Sequence, residues 1–211
     1  MTRLLLVAVA AASVFTAATA GRAGGPATRT AGTTAAALHP SVRVTPLPAT
    51  KPAPNRLVIP ALGVRAPLVA AGAVGRPGSA TLSIPADIHT VAWWDGDFST
   101  GRHERVPLPG DPGVALVAGH VDSAAAGPGA LYNLGHLQVG DVVRVTVLGR
   151  TTTWRVARPS ELTPKTALPR ALFRSTGPAR LAIVTCGGGF DAATGHYLDN
   201  VIVWMAPAQT S

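Results

Sequence analysis

Only one cysteine, Cys186, occurs in the 211 residues, so the chain has no internal disulfide and no cysteine-only zinc site. Charged residues make up 13% and aromatic residues 5% of the chain. Acidic side chains are absent from the first 54 residues, which hold Arg3, Arg22, Arg29, Arg43 and Lys51. That stretch carries five of the net +8 charges, leaving +3 for the other 157 residues. A basic excess lying outside the folded part argues against a nucleic-acid-binding domain. No P-loop, dinucleotide fingerprint, EF-hand loop or metal-ligand spacing occurs, so neither cofactor nor metal is expected.

The N-terminus is an export segment. Arg3 precedes a charge-free run from Leu4 to Ala20, and Ala18-Thr19-Ala20 offers small residues to a signal peptidase. Residues 1–20 therefore read as a cleaved signal peptide or as an uncleaved anchor that attaches the chain to a membrane. Either outcome places the remainder outside the cytoplasm. Residues 21–54 are dominated by Ala, Thr, Pro and Gly, with no aromatic and no isoleucine. Such a segment buries too little apolar surface to offset its ordering entropy and is expected to be a disordered tether.

From residue 55 the pattern changes to short β-branched runs separated by Gly, Pro, Asp and Ser. They occupy 56–60, 80–84, 89–94, 113–120, 141–148, 151–157, 180–186 and 200–205. The runs 142–148 and 151–156, joined by Gly149-Arg150, read as a hairpin. Helical signals are confined to 129–137 and the neighbourhood of 168–173. The expectation is an all-β domain, barrel or sandwich, over residues 55–207.

Two strands end in reactive side chains. Arg180-Leu-Ala-Ile-Val-Thr-Cys186 delivers a thiol to Gly187-Gly188-Gly189, and Val114-Ala-Leu-Val-Ala-Gly-His120 delivers an imidazole to a Gly/Pro-rich loop. Alternation puts Ala182, Val184 and Cys186 on one face and Leu181, Ile183 and Thr185 on the other. If the strands are neighbours, thiol and imidazole form an activated sulfur nucleophile. If not, Cys186 is an inert buried thiol and His120 a structural residue. Asp122 is placed to orient His120 or to make a turn. Trp93-Trp94 lines a peptide groove or packs in the core.

The motifs resemble those of the sortases, the Cys-dependent transpeptidases of Gram-positive cell surfaces, most closely the class E/F branch. The matching stretches are Arg56-Leu-Val-Ile-Pro60, Trp93-Trp94, Gly119-His120-Val121-Asp122-Ser123, Gly140-Asp141, Val184-Thr185-Cys186-Gly187-Gly188 and Thr194-Gly195-His196-Tyr197-Leu198-Asp199-Asn200, in family order. The resemblance implies a closed eight-stranded barrel with one or two short helices. It also implies that Cys186 attacks the threonine carbonyl of an LPXTG-like sorting signal. His120 would protonate the leaving amine and later deprotonate a cell-wall or pilin amine that resolves the acyl-thioester. Thr185 and Trp94 become candidate substrate-binding residues. The position of the family's arginine falls on Asn200, which either donates amide N–H bonds to the oxyanion or caps a turn. Arg170 and Arg174 are candidate substitutes for its charge. The resemblance also implies a location at the cell wall. Context and chain order disfavour an L,D-transpeptidase or a papain-type peptidase. A non-catalytic barrel binding cell-wall peptides is the alternative.

Overall fold

A computed structural model describes residues 53–74, 81–97 and 106–209. Residues 1–20, expected to be an export segment, and all but the last two residues of the expected tether 21–54 lie outside the described residues.

Among the described residues twelve strands follow one another: β1 (Arg56–Ile59), β2 (Val64–Val74), β3 (Thr81–Leu82), β4 (Val91–Asp97), β5 (Val114–Ala118), β6 (Asp122–Ser123), β7 (Gly127–Pro128), β8 (Val142–Val147), β9 (Arg150–Val156), β10 (Glu161–Pro164), β11 (Arg180–Asp191) and β12 (His196–Pro207). Eight of them close a ring in the order β1-β8-β9-β12-β11-β5-β4-β2, and β2 returns to pair with β1. β3 extends β2, β10 pairs with β12 beyond the reach of β9, and β6 and β7 form a separate two-stranded ribbon. Most pairs are antiparallel, but β2–β4 and β5–β11 are parallel. The fold is thus an all-β closed eight-stranded barrel. Closure removes the free edges that would invite pairing with another chain.

Alternation sorts each strand between two apolar clusters. Leu57 and Ile59 of β1, Val143 and Val145 of β8, Leu181 and Ile183 of β11, and Val203 and Met205 of β12 fill the barrel interior with Trp154. The opposite face of β11 and β12 carries Ala182, Val184, Ile202 and Trp204, which with Leu116 of β5 form a smaller cluster outside the wall. Leu172 and Ala171 cover that cluster from the 3-10 turn Arg170–Phe173. Burying each of the larger side chains contributes about 1.5–3 kcal/mol.

The expected helices are shorter than the sequence suggested. The two segments contain 3-10 turns, Leu134–His136 and Arg170–Phe173, and two more occupy Pro60–Leu62 and Lys165–Ala167. No α-helix occurs among the described residues. One hydrogen-bonded turn flanked by Pro169 or opened by Gly135 does not offset the entropy of nucleating a longer helix. The expected hairpin is β8–β9, but its turn is Leu148-Gly149, one residue earlier, with φ of 50° and 79°. Two positive φ values give the twist that suits adjoining antiparallel strands. β2 was not foreseen because it contains Pro67. That proline sits where β2 leaves β1, at Arg56↔Pro67, and takes up β4, at Leu68↔Val91, so its missing N–H falls at the change of partner.

Candidate active site

Cys186 and His120 share one open cleft. β5 and β11 run parallel in register as far as Ala118↔Val184, and the Gly119 N–H donates to the Val184 carbonyl at 3.2 Å. Two residues beyond that pair, His120 follows the end of β5 while Cys186 continues along β11. The Thr185 hydroxyl fixes this alignment by donating to the Gly119 carbonyl at 2.9 Å. The cleft, about 510 Å³, is lined by both residues, by Val121–Ala124 and Gly127-Pro128 of the loop after β5, and by Tyr132, Lys165, Phe190 and Gly195–Tyr197. Cys186 is half-buried, on the outward face of the wall.

The glycines after Cys186 bend its strand. The β11–β12 register passes from Gly187↔Asp199 to Phe190↔Tyr197, so β11 carries one extra residue, a β-bulge. Gly188 has φ +74°, and a side chain there would collide with Asp199. Only glycine satisfies both demands. Beyond the bulge, Phe190 and Tyr197 meet edge to face at 5.2 Å and form one wall of the cleft.

The imidazole is held by backbone. His120 Nε2 lies 2.9 Å from the Pro85 carbonyl oxygen, which only accepts, so Nε2 carries the hydrogen and Nδ1 is left for proton exchange. The loop supplying Pro85 is ordered by Asp87, whose carboxylate accepts from the Thr90 hydroxyl at 2.6 Å and the His89 N–H at 3.0 Å. These two bonds hold the Asp87 carboxyl below its ordinary range. The Ala130 N–H donates to the Ile88 carbonyl at 2.9 Å and ties the same loop to the segment after β7.

Asp122 takes a different partner from the one its position suggested. Its Oδ2 accepts the Tyr197 hydroxyl at 2.6 Å, joining the loop after His120 to β12 across the cleft. That bond, then burial, then the carboxylate's charge raise the Tyr197 phenol above its usual value of 10.

Of the residues selected from sequence, Cys186 and His120 line the cleft, whereas Thr185, Trp94 and Asn200 do not. Thr185 is 3% exposed and faces the barrel interior. Trp94 packs edge to face on Phe173 at 5.3 Å, against the outer cluster, while Trp93 is buried inside. Asn200 is the direct cross-strand partner of Cys186 and shares its face. Arg170 and Arg174 do not line the cleft either. The Arg174 carbonyl accepts the Val114 N–H at the start of β5, whereas His120 lies beyond the end of that strand. Among the described residues, the cleft's Lys or Arg side chain is Lys165, one residue past Pro164, which pairs with Asp199. Sequence reading missed Lys165, Tyr197, Phe190 and the Pro85 carbonyl. Only Tyr197 stood inside a motif that had been singled out.

The model of the sortase domain matches residues 57–208. Among solved structures, the chain is similar to sortase C1 of Streptococcus agalactiae, with a TM-score of 0.52, 19% identity, and coverage of 74% of this chain and 68% of that one. It is also similar to a Clostridium perfringens sortase D5 transpeptidase, with a TM-score of 0.50, 20% identity, and coverage of 74% and 79%. Sortase C-1 of Actinomyces oris gives a TM-score of 0.51, 19% identity, and 74% of each chain. Among curated proteins, none matches the sequence. With the domain match spanning well over half its length, the chain belongs to the sortase family.

Proposed function

We propose that the protein is a cysteine transpeptidase that cleaves an LPXTG-like sorting signal and transfers it to a cell-wall or pilin amine. One observation carries this reading: thiol and imidazole line one open cleft, Cys186 from within β11 and His120 from just past the end of the adjacent parallel strand β5. The Cys186 thiol passes its proton to His120 Nδ1, and Sγ attacks the threonine carbonyl to form an S–C bond. As the C–N bond breaks, the imidazolium gives that proton from Nδ1 to the leaving amine. The acceptor amine then adds to the thioester, returns a proton to Nδ1, and sulfur leaves.

The oxyanion needs donors. Asn200, level with Cys186, supplies amide N–H groups, and Lys165 supplies the positive charge that the family's arginine brings elsewhere. Thr185 acts through the Gly119 carbonyl rather than on substrate. Residues 55–207 form the catalytic domain, which a tether carries from an export segment that is either an anchor or cleaved. The domain then works outside the cytoplasm at a Gram-positive cell wall. The Gly119–Ser123 and Thr194–Asn200 stretches support the class E/F branch.

The test is incubation with a library of sorting-signal peptides and an amine acceptor. The expected result is a thioester adduct at Cys186 by mass spectrometry and amine-dependent turnover. Cys186→Ala and His120→Ala each abolish turnover, Asn200→Ala reduces it severely, and Lys165→Arg retains more than Lys165→Ala. Absence of both adduct and turnover overturns the reading in favour of a peptide-binding barrel.

A further inference from the structure

On the ring, β1 lies four strands from β11 in either direction, so its outer surface faces away from the thiol. The register there places three arginines together. Val58 of β1 pairs with Arg65 of β2 on one side and Arg144 of β8 on the other, and Arg56 lies two residues before Val58 on the same face. Strand spacing sets Arg65 and Arg144 roughly 10 Å apart, with Arg56 about 7 Å along the strand from the line between them. Together with Val58, Thr146 and Thr151 they line a shallow pocket of about 170 Å³. All three arginines are exposed, and Val58 beneath them is only 9% exposed. The ion pairs among the described residues are Arg150–Asp111 and Arg158–Glu161, so none of the three has a carboxylate partner there.

Three like charges within about a Debye length repel one another unless an anion lies over them. The sequence leading to them has the same bias. Asp87 is the first acid in the chain, after eight basic residues, and the chain enters the barrel at Arg56 from the stretch that carries the charge-free run 4–20. A triangle on a convex wall fits a plane of phosphates better than a single enclosed ligand. Arginine suits this use because its planar fork pairs with phosphate oxygens.

We propose that Arg56, Arg65 and Arg144 dock this side of the barrel on the phosphates of an anionic bilayer, which turns the Cys186 cleft away from the lipid. Each arginine near an anionic surface is worth about fivefold in partitioning, and salt screens the effect. The proposal does not depend on the transpeptidase reading, because the triangle and the cleft share no residue.

The experiment uses the full chain in vesicles of phosphatidylcholine, with or without about one third phosphatidylglycerol. Phenylglyoxal modification of each arginine is read by peptide mass spectrometry. In the anionic vesicles Arg56, Arg65 and Arg144 are expected to react at least about fivefold more slowly, and high salt restores their rates. Arg170 and Arg174 react alike in both. A variant combining Arg56→Gln, Arg65→Gln and Arg144→Gln loses about 100-fold of the preference for anionic vesicles. Equal rates in the two vesicle types overturn the proposal. So does equal protection by soluble glycerol phosphate over phosphatidylcholine, which would mean a free phosphate ligand, or equal protection of Arg170 and Arg174.

Discussion

The Tyr197 hydroxyl donates a 2.6 Å hydrogen bond to Asp122 Oδ2, joining β12 to the loop that begins at His120. The two residues are 75 positions apart, and the bond spans the cleft that holds Cys186. It couples the thiol's side of the site to the imidazole's side without touching either group.

Tyr197→Phe keeps the edge-to-face contact with Phe190 and removes this bond alone. The expected result is a kcat/KM about tenfold lower with sorting-signal peptide, from looser placement of the His120 loop. The phenol's value lies above 10, so the contribution of the bond is complete below pH 10 and is lost as pH rises through the higher folded value. Neutral pH leaves the bond intact. Ultraviolet titration tests the assignment: Tyr197→Phe should remove a phenol transition that lies above pH 10.

Thr185→Val tests whether the residue before the cysteine aligns strands or contacts substrate. Its hydroxyl and the Gly119 carbonyl are both buried, so the substitution leaves that oxygen without its side-chain donor. Urea unfolding should show a loss of about 1–3 kcal/mol with an unchanged m-value. Thr185→Val should also lower turnover, and Thr185→Ser, which keeps the donor, should recover most of both losses. Recovery of turnover without recovery of stability would contradict an aligning role.

Much of this arrangement was legible because strand alternation is strict. The reading that put Ala182, Val184 and Cys186 on one face and Leu181, Ile183 and Thr185 on the other matches the two apolar clusters. The same logic did not resolve Trp93 and Trp94, since adjacent strand residues point to opposite sides and each has its own apolar partner. His120 and Cys186 are 66 positions apart, and no local pattern reveals that their strands are parallel neighbours. Lys165 and Pro85 escaped notice for a related reason. One sits in a turn placed by a non-local pairing, and the other contributes a carbonyl, which no side-chain motif encodes.

Gly129 shows how closely the His120 loop is fitted. A Cβ there would lie 2.7 Å from the His120 carbonyl oxygen and 3.1 Å from that of Ile88. Both are backbone atoms, so the loop itself must move. Gly129→Ala is expected to cost about 1–3 kcal/mol and to lower kcat/KM more than that loss of stability explains. Gly135→Ala is the control: its Cβ would meet only Val201 Cγ1, at an ordinary 3.7 Å. That variant should match the parent in denaturant midpoint and turnover.

Asp87 sets the acid limit of the loop that holds the imidazole. Its carboxylate is held below 3.8, first by the Thr90 hydroxyl and then by the His89 N–H. A depressed carboxyl stabilises the fold fully above its unfolded value, and the contribution is lost as pH falls through the lower folded value. Hydrogen exchange should therefore find the Ala130 N–H, bonded to the Ile88 carbonyl, equally protected from neutral pH down to about pH 4 once intrinsic rates are removed. Protection should decline only below that. Asp87→Ala should lose about tenfold of this protection at neutral pH and lower turnover with it, since the Pro85 carbonyl is no longer fixed against His120. A wild-type loop that loosens between pH 6 and 5, or an Asp87→Ala variant with unchanged protection, would remove Asp87 from this role.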